Sequence, residues 1–259
     1  MRLVLRGLAI AVVAAVALAA AVAVFGHTSR GATSPAVSVA PSLVAEKGGG
    51  VWLYAARVPG GVVLFDAGLD PDGAPVDVAL SALGATRDEV TDVFLTHGHV
   101  DQRAGVGVLP RAKVHAGAGD VALVAGREAP RGLAEGLLEM LLPRSPRNVD
   151  DPISGESEIR LAGGALVLAI PVPGHSPGST AYLLDGALFV GDLVSYRDGK
   201  LVTGSRYLSA DADQNERSAA ALSRRLADVP VSRICTSRSR CTPEGRARAL
   251  LVAFAAEHR

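Results

Sequence analysis

The stretch FLTHGHVDQRAG, Phe94 to Gly105, sets His97, His99 and Asp101 on one short turn directly behind an apolar run. Two imidazoles one residue apart, with a carboxylate two further on, are the donor types and the spacing with which a zinc-class metal site begins. The next position holds Gln102, where a two-metal site of this kind would want a further histidine. Four other stretches end apolar runs in polar residues that could converge on the same place. They are Asp66 in LFDAG, His175 in PVPGHSPGST, Asp192 in LFVGDLV and the ICTSRSRC loop.

Positioning such groups requires strands that deliver them to one edge. From Ser42 onward the patterning alternates strands with helices. VWLYAARV and GVVLFDAG flank Pro59-Gly60 and read as a hairpin, and VDVALSALGA has helical spacing. VTDVFLTH and AKVHAG read as strands. The stretch from GDVALVAG through GLAEGLLEMLLP reads as helix, broken at Pro130 and Pro143. Several Gly-punctuated strands follow between Glu158 and Val194. ERSAAALSRRLADV reads as an amphipathic helix, SRICTS as a strand, and PEGRARALLVAFAAEHR as a closing helix. Two similar halves of strands and helices imply sheets packed face to face with helices outside.

Composition bounds the class. The 259 residues are 49% hydrophobic, enough to bury a full core as one domain, and the formal net charge of zero gives no electrostatic case for nucleic acid. At the N-terminus, Arg2 and Arg6 precede an uncharged run from Gly7 to Phe25. At about 1.5 Å per helical residue that run nearly crosses a hydrocarbon core of roughly 30 Å. The expectation is a signal anchor or a cleaved signal peptide over residues 1–26, with the remainder membrane-anchored on the extracytoplasmic side, or secreted or periplasmic. Residues 27–41, rich in Ser, Thr, Ala and Pro, read as a flexible linker, and 42–259 as the folded domain. His27, His115 and His258 read as surface groups.

HGHVD, followed downstream by PGHSPGST and FVGD, resembles the metallo-β-lactamase superfamily from about Ser42 to the C-terminus. The resemblance implies an αββα four-layer sandwich with a metal site at the edge where strand-end loops meet. It implies His97, His99 and His175 as ligands of a first metal ion, zinc expected and iron the alternative. It implies Asp101 as the acid that orients the attacking water, Asp192 as a metal-bridging ligand, and Asp66 as a supporting residue rather than a mere turn-former. The chain departs from the family at the second site. Gln102 is a weak neutral ligand, and the fifth-motif position carries Arg238, or Ser237 with a one-residue shift.

A guanidinium about 4 Å from a dication is repelled by roughly 8 kcal/mol at an effective dielectric near 20, and arginine does not escape by losing its proton. One ion is therefore expected. If Arg238 points inward it replaces the second ion's charge and attracts a substrate anion; if outward, the place is empty. Cys235 and Cys241 flank this loop and are open to a disulfide, to two free thiols or to metal ligation. The function implied is a mononuclear zinc hydrolase whose zinc-bound hydroxide attacks an ester, thioester, lactone or amide in a small, anionic or neutral substrate. Arg238 then helps stabilise the resulting anion. The alternatives are a degenerate member that binds a ligand or partner without turnover, and a metal-dependent dioxygenase.

Overall fold

A computed structural model of the chain describes residues 33–131 and 145–258. The N-terminal apolar run and most of the stretch from Gly132 to Pro146 lie outside them. Among the described residues, no helix is long and apolar enough to cross a membrane.

One sheet runs in the order β1 (Val37–Ala40), β2 (Leu43–Gly48), β3 (Val51–Val58), β4 (Gly61–Phe65), β5 (Val90–Leu95), β6 (Lys113–Gly117) and β7 (Asp151–Ile153). Its first four strands meander antiparallel, and β4 to β7 are parallel. The other sheet contains β8 (Ser157–Arg160), β9 (Leu166–Pro171), β10 (Thr180–Leu184), β11 (Ala187–Phe189), β14 (Arg233–Thr236) and β15 (Arg240–Cys241). Between β11 and β14 the chain makes a separate hairpin of β12 (Val194–Arg197) and β13 (Lys200–Thr203).

Side-chain alternation along the strands builds three cores. On β4, Val63 and Phe65 face the other sheet, while Val62 and Leu64 face outward onto α1 (Ala74–Ala82) through Val76, Ala79 and Leu80. On β10 and β11, Tyr182 and Phe189 face inward and Ala181 and Leu188 outward. The outward pair packs with α4 (Ala212–Arg225) and α5 (Ala247–Glu257). The layers are therefore helix, sheet, sheet, helix. Strands with apolar residues on both faces give near-continuous apolar runs such as GVVLF, which is why periodicity alone marks their position but not their faces. At the centre Phe65 stacks on Phe189 with centroids 3.7 Å apart. Phe65, Phe94 and Phe189 lie at or next to the strand ends from which Asp66, His97 and Asp192 emerge, so buried aromatics form the floor of the site.

Three expectations are corrected here. Val37–Ala40, assigned to the linker, forms β1, because its Val-Ser-Val-Ala alternation pairs with the free edge of β2. Of the helix expected from Gly119 onward, the described residues up to Arg131 form only the single turn α3 (Val121–Val124), which ends before Gly126 at positive φ, and the part from Gly132 to Pro143 lies outside the described residues. His115 is not a surface group. It is fully buried on β6, with Nε2 2.8 Å from Asp92 Oδ1, Nδ1 3.0 Å from Asp151 Oδ2, and its ring stacked on Phe94.

Candidate metal centre

His97 and His99 leave the C-terminal end of β5, and His99 caps the turn α2 (Val100–Arg103) from an extended backbone conformation. His175 arrives from the opposite sheet, in the loop after β9. Gly174, at φ 141°, lets that loop lie against the backbone of Asn215, where a side chain would collide. The two loops are joined directly, since the Thr180 N–H donates to the Thr96 carbonyl at 2.8 Å. His97 Nε2 and His175 Nε2 are 3.2 Å apart, and His99 Nδ1 lies 3.0 Å from His175 Nε2. The rings stand nearly perpendicular to one another, at 78–86°.

These distances test whether the tripod fits a metal. Zinc–nitrogen bonds near 2.05 Å in tetrahedral array put nitrogens about 3.3 Å apart, a few tenths of an ångström beyond what is found here. Hydrogen bonding also sets the tautomers. Thr96 Oγ1 donates to Asp66 Oδ2 at 2.8 Å, so His97 Nδ1, 3.2 Å from the same oxygen, is the donor and Nε2 presents its lone pair. Ser209 Oγ donates to the Ser205 carbonyl at 2.8 Å and lies 3.4 Å from His175 Nδ1, which orients His175 Nε2 in the same sense. Burial first, then the neighbouring rings, pushes His97 well below the ordinary histidine range and His99 down to about 4; burial also lowers His175. Three neutral rings with converging lone pairs are the ligand form of histidine, and the group fits a divalent ion.

Asp66 stands behind the tripod, at φ 61°, an uncommon conformation that aspartate tolerates better than most side chains. Its Oδ1 accepts the Thr96 N–H at 2.8 Å. Burial pushes its carboxyl well above the usual carboxylate range, opposed by the Thr96 bonds and assisted by Asp192 and Asp101.

The second half of the expected constellation is built around a cation. Arg238, at the tip of the β14–β15 loop, donates from Nε to Asp192 Oδ2 at 2.8 Å. Its Nη2 meets Asp192 Oδ2 at 2.7 Å and Asp101 Oδ2 at 2.8 Å. The inward orientation is therefore the observed one, and Nε and Nη2 are engaged by two carboxylates. Burial works against charge on Arg238, but Asp101 and Asp192 outweigh it and hold the guanidinium protonated. Burial likewise pushes Asp192 up, but Arg238 and then His175 outweigh it and hold it below the usual range. Asp192 Oδ2 is 3.7 Å from His175 Nε2, so the acid stands between tripod and guanidinium. Gln102 is fully buried, and neither side-chain atom has a partner among the described residues; Ser237 Oγ is likewise buried without one among them. Cys235 and Cys241, paired across β14 and β15, form a disulfide that closes the loop carrying Arg238. Asp192 and Arg238 open onto a cleft of about 720 Å³ whose far wall is the β12–β13 hairpin and the loop through Tyr207.

Thr96, Ser209 and Asp120 are the site residues that sequence reasoning passes over. Thr96 directly precedes the first histidine and had a local signal to offer. Ser209 and Asp120 are brought in by other loops and had none.

Comparison with known proteins gives a concordant result. The family model described as the metallo-beta-lactamase superfamily matches residues 47–238. Hydroxyacylglutathione hydrolase from Anaeromyxobacter dehalogenans (strain 2CP-C) is 32% identical over 142 residues, 54% of this chain and 45% of the relative. YobT, an uncharacterized protein of Bacillus subtilis (strain 168), is 29% identical over 157 residues, 55% of this chain and 61% of the relative. The chain thus spans about half the length of the curated relatives it matches. Among solved structures, a metallo-beta-lactamase of Cronobacter sakazakii with a HARLDQ motif superposes with a TM-score of 0.65 at 20% identity, covering 91% of this chain and 89% of that one. A metallo-beta-lactamase family protein from Thermus thermophilus gives 0.61 at 21% identity, covering 85% and 80%. Motif, fold, tripod and family match together place this chain in the metallo-beta-lactamase superfamily.

Proposed function

We propose that the protein is a hydrolase that uses a single divalent ion, zinc by the chemistry of its nitrogen donors, to cleave an activated acyl bond, with a thioester as the substrate class. The observation that carries this reading is a whole histidine tripod beside a guanidinium that occupies both carboxylates a second ion would need. The thioester class rests on the likeness to hydroxyacylglutathione hydrolases. The HARLDQ motif of the Cronobacter enzyme also ends in Asp-Gln, as HGHVDQ does here.

When bound, the ion supplies a Lewis acid and a water acidified to a pKa near 7. The protein's own groups do the rest. Asp101 commits Oδ2 to Arg238 and leaves Oδ1 without a protein donor among the described residues, available to orient that water and take its proton. Arg238 holds the Asp192 carboxyl below the usual range beside three neutral imidazoles. Its Nη1, which has no partner among the described residues, is the donor available to a developing oxyanion or a substrate carboxylate in the cleft. The apolar N-terminal run and the Cys235–Cys241 disulfide support a location outside the cytoplasm.

A second reading, ligand binding without turnover, draws on Gln102, a buried amide with neither atom partnered among the described residues, where a metal ligand would stand. Elemental analysis of the full chain and of His97→Ala, alongside hydrolysis of an acyl thioester, an aryl ester, a lactone and a β-lactam, separates the two. One ion per chain with metal-dependent thioester cleavage, both lost in the variant, is the expected result. One ion with no turnover on any substrate supports the second reading.

A further inference from the structure

Asp120, buried and outside every motif, ties together the two loops that carry the three histidines. Its Oδ2 accepts the Gly98 N–H at 2.7 Å, the peptide between His97 and His99. The same oxygen accepts the Ser176 Oγ–H at 2.5 Å, from the residue next to His175, and Oδ1 accepts the Gly178 N–H at 2.8 Å. All three donors therefore belong to the tripod loops, and none to the element that carries Asp120.

The glycines around it have the spacing such a clamp needs. A Cβ at Gly98 would come within 3.0 Å of Asp120 Cβ, one at Gly178 within 2.7 Å of the same atom, and one at Gly119 within 2.6 Å of the Pro177 backbone. Three backbones meet here with only a carboxylate between them. A buried carboxylate with three donors is over-determined in position, and its removal leaves the Gly98 and Gly178 N–H groups unsatisfied while the Ser176 hydroxyl keeps only Ser179 Oγ, 2.9 Å away.

We propose that Asp120 is a positioning residue that presets His97, His99 and His175 at ligand spacing by clamping the Gly98 and Ser176–Gly178 backbones to one another. Asp120 touches no tripod nitrogen. It acts through the peptides on either side of the ligands, holding the donors converged before any ion arrives. The inference rests on the metal-site reading above. Groups of this supporting kind set metal affinity by about 10- to 100-fold.

The test is zinc affinity of the full chain by competition with a chromogenic chelator, together with the visible spectrum of the cobalt-loaded protein, for wild type, Asp120→Asn and Ser176→Ala. Asn retains the size but brings an NH2 against three donors. Zinc binding is expected to weaken by about 10- to 100-fold in Asp120→Asn and by a smaller factor in Ser176→Ala. The cobalt bands should shift in both, while thermal unfolding of the metal-free forms shows that they are folded. Ser176→Ala, which removes a single donor, carries the test alone if Asp120→Asn does not fold. Wild-type affinity and an unshifted cobalt spectrum in a folded variant would overturn the clamp while leaving the metal site standing. A wild-type chain that binds neither ion would overturn both.

Discussion

Replacing Arg238 and Gln102 together by histidine should turn a one-ion site into a two-ion site. A second ion bonded to Asp192 Oδ2 sits about 2.1 Å from that oxygen, and Arg238 Nη2 is 2.7 Å from the same oxygen. Ion and guanidinium nitrogen are then no more than about 5 Å apart. At an effective dielectric near 20 the repulsion is about 7 kcal/mol, equivalent to roughly five decades of affinity. The guanidinium has no means of retreat, because leaving would strand Asp101 and Asp192 as buried carboxylates without their cation. In Arg238→His/Gln102→His the repulsion is gone, and Asp101, Asp192 and two imidazoles remain as donors. The assay is metal per chain after equilibrium dialysis against micromolar zinc, followed by elemental analysis. Wild type should hold one ion and the double variant two. A wild-type protein that holds two ions with Arg238 in place would refute the electrostatic argument.

Other outcomes follow from the same geometry. His97, His99 and His175 are all held below the ordinary histidine range, so between about pH 6.5 and 4 the unfolded chain binds more protons than the folded one. Thermal stability of the metal-free protein should therefore fall as pH drops through that window, and less so in His99→Gln. Replacing Cys235 and Cys241 by serine opens a loop closed over a sequence separation of 6. This should cost about 2 kcal/mol, seen as a melting temperature lower by roughly 4–8 °C. His115→Ala leaves Asp92 and Asp151 facing each other without the imidazole between them, and should cost about 3 kcal/mol in urea unfolding.

What the sequence made legible was local or periodic. The pair His97 and His99 with Asp101 is a five-residue pattern behind an apolar strand, and the helices Ala74–Ala82, Ala212–Arg225 and Ala247–Glu257 carry their own spacing or flanking signals. What stayed hidden depends on partners distant in the chain. His115 looks like any polar residue on a short strand until Asp92 and Asp151 arrive on the strands to either side. Asp120 reads as the start of a helix, and only the approach of the Gly98 and Gly178 backbones gives its carboxylate a task. Arg238 was legible as a substitution, but which way it points is decided by Asp101 and Asp192, from two other loops. Val37–Ala40 has linker-like flanks, and pairing with β2 outweighs them.

The most direct test of the account is X-ray absorption at the zinc edge of the zinc-loaded full chain. A lone zinc with three imidazole nitrogens at about 2.0–2.1 Å and no neighbouring metal is the predicted result. A metal–metal distance of about 3.5–4 Å would contradict it, as would a first shell lacking three imidazoles.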